Sequence, residues 1–594
     1  MADASSALGG GALDFARASD IDDFVDMLAR FERGEIDADA WRAFRLLRGT
    51  YGQRQNDDRS MLRAKIPQGI LSANQLEVIA DVAERHSRGF CHVTTRQNFQ
   101  FHFVPLAEMA DAMRALAAAG LTTREACGNS VRNVTTSPTA GVAADEAFDP
   151  TPYARAFTRY FLRHPLSSTL PRKFKVAFSG GGADHSFAAV NDVGFFARVR
   201  EGERGFRVTV AGGTALLCTS GRELFDFVPA REILAVAEAV MRVFHARGDR
   251  EHRKKNRMKF LVKQLGWDAF RALVLAELEP LRASPPPLAL DPEERAPERR
   301  APWPRPAEIE ALVHRDAPRG PGIVPRFLPV AGDPRRERFV RTNVRPQRQA
   351  GFSIVTVVVP LGDLSSGRLR ALAALARSYA DGTVRTTATQ NVVLRWVPDD
   401  RVAQLHAHLE RIGLAEPDAE SIADVASCPG AESCKLAVTQ SRGLAALLGE
   451  HFRAERSWID RARGLTIRVS GCPNGCGLHH VAGLGFQGGL RKVGDRPVPQ
   501  YFVYAGGDPA LGRFGRVVAK IPARRIPAVV ERLIETYERA RREEEPMNDW
   551  LARTDAKELG AAVADLNVVD DEDFVDLGET TAFNPETAEG ECAA

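Results

Sequence analysis

Residues 61–105 (MLRAKIPQGILSANQLEVIADVAERHSRGFCHVTTRQNFQFHFVP) and 354–398 (IVTVVVPLGDLSSGRLRALAALARSYADGTVRTTATQNVVLRWVP) superpose without a gap. Pro67 falls on Pro360, Leu71-Ser72 on Leu364-Ser365, Gly89 on Gly382, Gln97-Asn98 on Gln390-Asn391 and Val104-Pro105 on Val397-Pro398. Turn and cap residues recurring at fixed places mean one folding unit present twice. Each copy reads as a strand, a helix with 3.6-residue apolar spacing, a turn at Gly, a β-branched strand and a further helix. The fold class is therefore α+β, built by internal duplication.

A fainter echo follows each copy. FKVAFSGG (174–181) matches LTIRVSGC (465–472), and VAGGT (210–214) matches YAGGD (504–508). Two halves facing each other about a pseudo-two-fold axis would place a ligand at their interface. The expected divisions are an N-terminal helical segment at 1–55, half-domains at 56–126 and 346–415, and larger α+β domains at 127–281 and 416–545. A Pro/Arg-rich linker at 282–345, draped over the surface without regular structure, joins the halves. An acidic, disordered tail at 546–594 ends the chain.

The formal net charge of +3 hides an asymmetry. Residues 547–594 hold 13 Asp/Glu against 2 Lys/Arg, so removing their net −11 leaves the body at +14. The basic residues are not gathered into stripes with exposed aromatics, which favours an anionic cofactor or an acidic protein partner over nucleic acid. No run of eighteen apolar residues occurs, and the N-terminus lacks a basic segment followed by an apolar one. A cytoplasmic protein that does not engage membranes is the expectation. No strand is followed by a proper G-x-G-x-x-G, and SGGGADHS lacks the required helix, so electrons for any redox reaction must come from another protein.

Four of the eight cysteines, Cys428, Cys434, Cys472 and Cys476, fall in SCPGAESCKLAV and VSGCPNGCGLHH. Four soft thiolates interleaved with Pro and Gly suit a cubane iron–sulfur cluster, because glycine lets backbone N–H groups approach the sulfides. Structural zinc remains the alternative. The first half lacks these cysteines but carries cations the second half lacks: Arg63 falls on Thr356, Arg96 on Thr389, Lys173 on Gly464 and Lys175 on Thr466. With Arg132 they make a cationic set. Lys173 and Lys175 lie two apart in a strand pattern and share a face opposite Phe174 and Val176. A solvated edge strand is the plain alternative for such a pair.

Taken together, TTRQNFQFH, RNV, LPRKFK, the C-x5-C pair and GCPNGCG make the chain resemble the sirohaem-dependent sulfite and nitrite reductases over about residues 40 to 545. The resemblance implies two ferredoxin-like half-domains and two domains that bind sirohaem and the cluster. It implies a 4Fe–4S cluster on Cys428, Cys434, Cys472 and Cys476, the last also bridging to the sirohaem iron. It further implies six-electron reduction of sulfite to sulfide, or nitrite to ammonia, with Arg63, Arg132, Lys173 and Lys175 cradling the anion. Lys173 and Lys175 would donate protons, and the two arginines would act electrostatically.

Sirohaem bears eight carboxylates, which Arg96, Gln100, His102, Asn129 and Arg172 would bind, with Gly212, Gly213 and Asn474 beside Cys476 completing the pocket. The family's triple glycine is Ala211-Gly212-Gly213 here, which puts that contact in doubt. The electron donor implied is a small acidic ferredoxin or a separate flavoprotein, the protein being a monomer or part of a donor complex. The second lysine of RKFK is typical of the family's sulfite reductases, and a doubly charged anion suits two lysines beside two arginines. A non-catalytic electron carrier or a corrinoid-biosynthesis enzyme on the same duplicated fold are the rival classes. His479 and His480 are expected to be exposed, and Cys91 and Cys218 to be core residues. Cys592 is expected to be a bystander. Cys127 reads as a buried unmodified cysteine, with a thioether to Tyr51 as the alternative.

Overall fold

The structure is a computed structural model that describes residues 13–55, 58–313, 334–585 and 591. Each copy of the repeat builds a five-stranded sheet, but neither copy supplies all its own strands. In the first sheet the order is Thr50–Gly52, Arg59–Ala64, Phe99–Pro105, Phe90–Val93 and then Asp363–Ser365 from the second copy. The second runs Val344–Pro346, Phe352–Val357, Val392–Pro398, Thr383–Thr386 and then Ile70–Ser72 from the first. The borrowed strands pair antiparallel, Leu364 opposite Cys91 and Leu71 opposite Val384. This exchange welds the copies into one apolar core that draws Leu76, Ile79, Leu369 and Leu372 from the helices Ala73–His86 and Ser366–Tyr379.

The recurring Ser and Gln-Asn residues explain themselves. Ser72 and Ser365 cap the two helices by accepting from the Gln75 and Arg368 amides. Asn98 Oδ1 accepts the Ile66 amide at 3.0 Å and Asn391 Oδ1 the Val359 amide at 2.9 Å. Gln97 and Gln390, both at positive φ (58° and 69°), aim buried amides across the halves. Gln97 Nε2 donates to Thr386 O and Thr136 O, and its Oε1 accepts from the Thr136 amide. Gln390 Nε2 donates to Val93 O while Oε1 accepts from the Ser427 amide.

Two further sheets of matching plan carry the outer domains, each with its own core. One runs Arg222–Pro229, Glu203–Val210, Val193–Arg200, Val176–Ser179, Thr135–Thr136; the other runs Ala426–Ser427, Ile467–Ser470, Leu484–Val493, Arg496–Ala505, Arg516–Pro522. In both, the short strand and its neighbour are parallel and the outer strands antiparallel. The SGGG and SGCP loops leave equivalent strand ends.

Three expectations need correction. The linker contains the helices Pro306–Val313 and Pro334–Asn343 and is not merely draped: Glu294 is drawn in by Arg155, Arg385 and Arg395. Arg385 and Arg395 are the repeat equivalents of His92 and His102, so the place related by pseudo-symmetry to the cavity described below is closed by an ion-pair cluster. The tail is folded through residue 585, because Trp550, Leu551, Leu559 and Val563 bury their apolar surface in the second outer core. The first sheet begins at Thr50, inside the segment expected to be helical. Cys592 lies outside the described residues.

Candidate active site

The halves and both outer domains meet around one cavity, with roughly 1670 Å³ of empty space including its open mouth. Cys428, Cys434, Cys472 and Cys476 all stand on its wall. Burial, then the neighbouring thiols of Cys476 and Cys428, push the Cys472 thiol well above its usual range. A metal placed there would favour the ionised thiol. Among the described residues no three His, Cys, Asp or Glu side chains converge closely enough for a single ion. Four thiols spread around a roomy wall suit a cubane better than zinc.

The loops carrying them are held from several directions. The Gly471 amide points at Cys428 Sγ (3.4 Å), and Ser441 Oγ donates to Cys428 O at 2.8 Å. Arg54 crosses from the first half to donate to Cys434 O (3.2 Å) and Ala437 O (2.5 Å). Thr95 Oγ1 donates to Cys476 O at 2.8 Å. Gly475 has φ +65°, and a Cβ there would lie 2.6 Å from His480 Nδ1, so position 475 favours glycine.

The cations face the cysteines across the cavity. Arg63, Arg132, Lys173 and Lys175 all line it, and Phe174 and Val176 point into the core behind. The shared-face reading of the two lysines therefore holds as geometry. Arg132 Nε donates to Gly128 O at 2.9 Å, and Arg63 Nη1 approaches Cys127 Sγ at 3.4 Å with its guanidinium over the Tyr51 ring. Burial, then the like charges of Arg96 and Lys173, push the Lys175 ammonium well below its usual range. An anion placed among these groups would reverse that shift.

Of the residues expected to bind sirohaem, Arg96, Gln100, His102 and Asn474 stand on the wall. Arg96 donates to Asn191 Oδ1 and Asn133 O, and burial followed by Arg132 lowers it to about 9. Burial holds His102 down at about 3, hence neutral, and its Nδ1 is buried without a hydrogen-bond partner in the protein. An orphaned ring nitrogen, guanidinium groups and amides around one cavity fit a polycarboxylate macrocycle. Asn129, Arg172, Gly212 and Gly213 do not line the cavity.

Sequence reasoning missed several groups. Arg257 and Lys259 crowd Gly213, where a Cβ would lie 3.0 Å from Arg257 Nη2 and 3.4 Å from Lys259 Nζ. Asp192 ties Arg257 (2.8 Å) to the Lys175 backbone amide (2.9 Å), while burial and Arg257 lower Lys259 to about 7. The clue was the alternating N-R-M-K-F, with Met258 fully buried. His92 lines the cavity between Asp363 Oδ1 (3.0 Å) and Gln390 Nε2 (3.0 Å). Glu591 also lines the cavity, paired with Arg45 and accepting from the Gly52 amide at 2.7 Å. His479 and His480 are buried, at 0% and 4% exposure, because the strand Leu484–Val493 follows so closely. Cys91 is a core residue, but Cys218 is half-buried on a loop. Tyr51 and Cys127 share one small buried cluster with Leu46, Met61 and Ala126.

Residues 127–280 and 418–568 match the family model described as the nitrite and sulphite reductase 4Fe-4S domain. Residues 51–119 and 345–412 match the nitrite/sulfite reductase ferredoxin-like half domain. The ferredoxin–nitrite reductase of Synechococcus elongatus is 29% identical over 488 residues, 80% of this chain and 86% of that protein. The sulfite reductase (ferredoxin) 2 of Mycolicibacterium paratuberculosis is 29% identical over 510 residues, 84% of this chain and 83% of that protein. Among solved structures, the Mycobacterium tuberculosis NirA protein superposes with a TM-score of 0.71 at 27% identity, covering 88% of this chain and 92% of that one.

Proposed function

The chain belongs to the nitrite and sulphite reductase family, an oxidoreductase family whose cofactors are sirohaem and a 4Fe–4S cluster, and from that premise we propose that it reduces sulfite to sulfide with six electrons from a ferredoxin. The observation that carries the choice of sulfite is that Lys175, Lys173, Arg63 and Arg132 line one cavity together. Sulfite near neutral pH is a mixture of mono- and dianion, whereas nitrite carries one charge and is smaller. Two lysines beside two arginines complement the higher charge better. Reduction of nitrite to ammonia is the second reading, favoured by relatives of equal identity that are named for it.

When bound, the coupled cluster and sirohaem supply electrons singly to the anion. The chain's own residues do the rest. Cys428, Cys434, Cys472 and Cys476 would hold the cluster, and Arg96, Gln100, His102 and Asn474 would bind the macrocycle's carboxylates and amide-accessible edge. Arg63 and Arg132, which keep their protons at working pH, fix the anion's oxygens electrostatically. Lys173 and Lys175 hold protons at Nζ for the departing oxygens. The depressed affinity of Lys175 for its proton, reversed when an anion enters, makes it ready to give that proton up once the negative charge is consumed.

The test is sulfide formation from sulfite under reduced ferredoxin, with Lys175→Asn lowering sulfite turnover more than nitrite turnover. Equal loss on both anions would remove the basis for choosing sulfite.

A further inference from the structure

Arg442 is the second residue of the helix Ser441–Ala454, only 5% exposed, and no step above uses it. Its Nη1 donates to Asp363 Oδ1 at 3.0 Å, its Nη2 to Asp363 Oδ2, and its Nε lies 3.0 Å from Glu432 Oε2. Glu432 sits between Cys428 and Cys434, on the turn Gly430–Glu432. The preceding residue, Ser441, touches Cys428 twice, through its carbonyl at 2.8 Å and its sulfur at 3.3 Å.

Burial works against the guanidinium charge, but Asp363 and then Glu432 hold its pKa above the usual arginine range. Arg442 is the immediate chain neighbour of Ser441, which contacts Cys428. The N-terminal end of a 14-residue helix points the same way, adding a partial positive charge. Asp363 in turn is anchored by His92 at 3.0 Å. Gln390 is fixed by a carbonyl and an amide, so its Nε2 donates to His92 Nε2. His92 Nε2 is thereby the acceptor, and its Nδ1 faces Asp363. The network therefore links Arg442, Asp363 and Glu432, with Arg88 Nη1 3.7 Å from Glu432 Oε1, to the loop that carries Cys428.

We propose that Arg442 is a positioning residue that sets the reduction potential of the cluster, its guanidinium favouring the added electron and Asp363 and Glu432 opposing it. Adding an electron makes the cluster more negative, so a buried cation nearby raises the potential and a buried carboxylate lowers it. The inference rests on Cys428 being a cluster ligand.

The test is a redox titration of the holoprotein followed by the electron paramagnetic resonance of the reduced cluster. Arg442→Gln is expected to shift the midpoint to more negative potential, and Arg442→Lys to restore it toward wild type. Asp363→Asn, which keeps an acceptor for His92, and Glu432→Gln are expected to shift it the opposite way. They carry the test if Arg442→Gln does not fold. Loosened packing would move all variants in one direction, so shifts of the same sign, or none, overturn the proposal. A wild-type holoprotein without a cluster signal would overturn the ligand assignment and this inference with it.

Discussion

Replacing Gln390 by Leu would separate the two jobs that the repeat gives its paired glutamines. The Gln390 amide donates to Val93 O at 2.9 Å and to His92 Nε2 at 3.0 Å, and accepts the Ser427 amide at 2.8 Å. Leucine would leave three buried polar groups unsatisfied. At about 1–3 kcal/mol each, with partial relaxation, the loss is roughly 3–6 kcal/mol of stability. Gln97 makes the equivalent bonds to Thr386 O, Thr136 O and the Thr136 amide at 2.8, 2.9 and 3.2 Å, so Gln97→Leu should cost a similar amount. Both positions have positive φ, so the backbone penalty cancels between them. The difference lies in what each secures: Ser427 precedes Cys428, whereas Thr136 lies in the half without cluster cysteines. Urea denaturation of the apoprotein should show comparable losses for the two variants, while iron and acid-labile sulfide after reconstitution should fall only in Gln390→Leu. Equal cluster loading in both, or a loss below about 1 kcal/mol for Gln390→Leu, would refute the idea that this amide fastens the cluster loop.

Other outcomes follow from the same geometry. Cys476→Ser should lose the iron–sulfur absorbance and all six-electron activity, since serine replaces a soft thiolate poorly; retained activity would remove Cys476 from the ligand set. Lys65 is fully buried, its Nζ donating to Val131 O at 3.1 Å, and burial lowers it from 10.5 to about 8. Because the folded state holds this proton less tightly than the unfolded chain, unfolding takes up a proton between about pH 8 and 10.5 and stability should rise with pH across that window. The penalty is about 3 kcal/mol at neutral pH, and Lys65→Met should flatten the pH dependence of the denaturation midpoint. Glu591 lines the cavity and occupies Arg45 and the Gly52 amide, so Glu591→Gln, which removes a negative charge from the lining, should lower KM for the substrate anion without lowering kcat; an unchanged KM would place the carboxylate outside the anion's path.

The duplication and the cysteine set were legible because both are written in fixed spacings: Ser72 and Ser365 cap, Gln97 and Gln390 bridge, and the four cysteines line one cavity. The strand exchange was not. Ile70–Ser72 and Asp363–Ser365 lie inside their own copies in sequence, and local pattern does not say that each crosses to the other sheet. The role of Glu294 was hidden by a Pro/Arg-rich setting that reads as solvated chain, although two of its partners, Arg385 and Arg395, interrupt apolar strands. His479 and His480 looked exposed because polar doublets on loops usually are; the tight return into the next strand buries them. The distinction between Arg96 on the cavity wall and Arg172 off it depends on how a loop turns after Pro171, which residue type alone does not fix.

The ratio of kcat/KM for sulfite to kcat/KM for nitrite, measured with reduced ferredoxin on the cofactor-loaded protein, tests the central claim most directly. The cationic wall of Arg63, Arg132, Lys173 and Lys175 predicts a ratio above one, falling in Lys175→Asn. A preference for nitrite of more than about tenfold, roughly 1.4 kcal/mol in transition-state stabilisation, would contradict it.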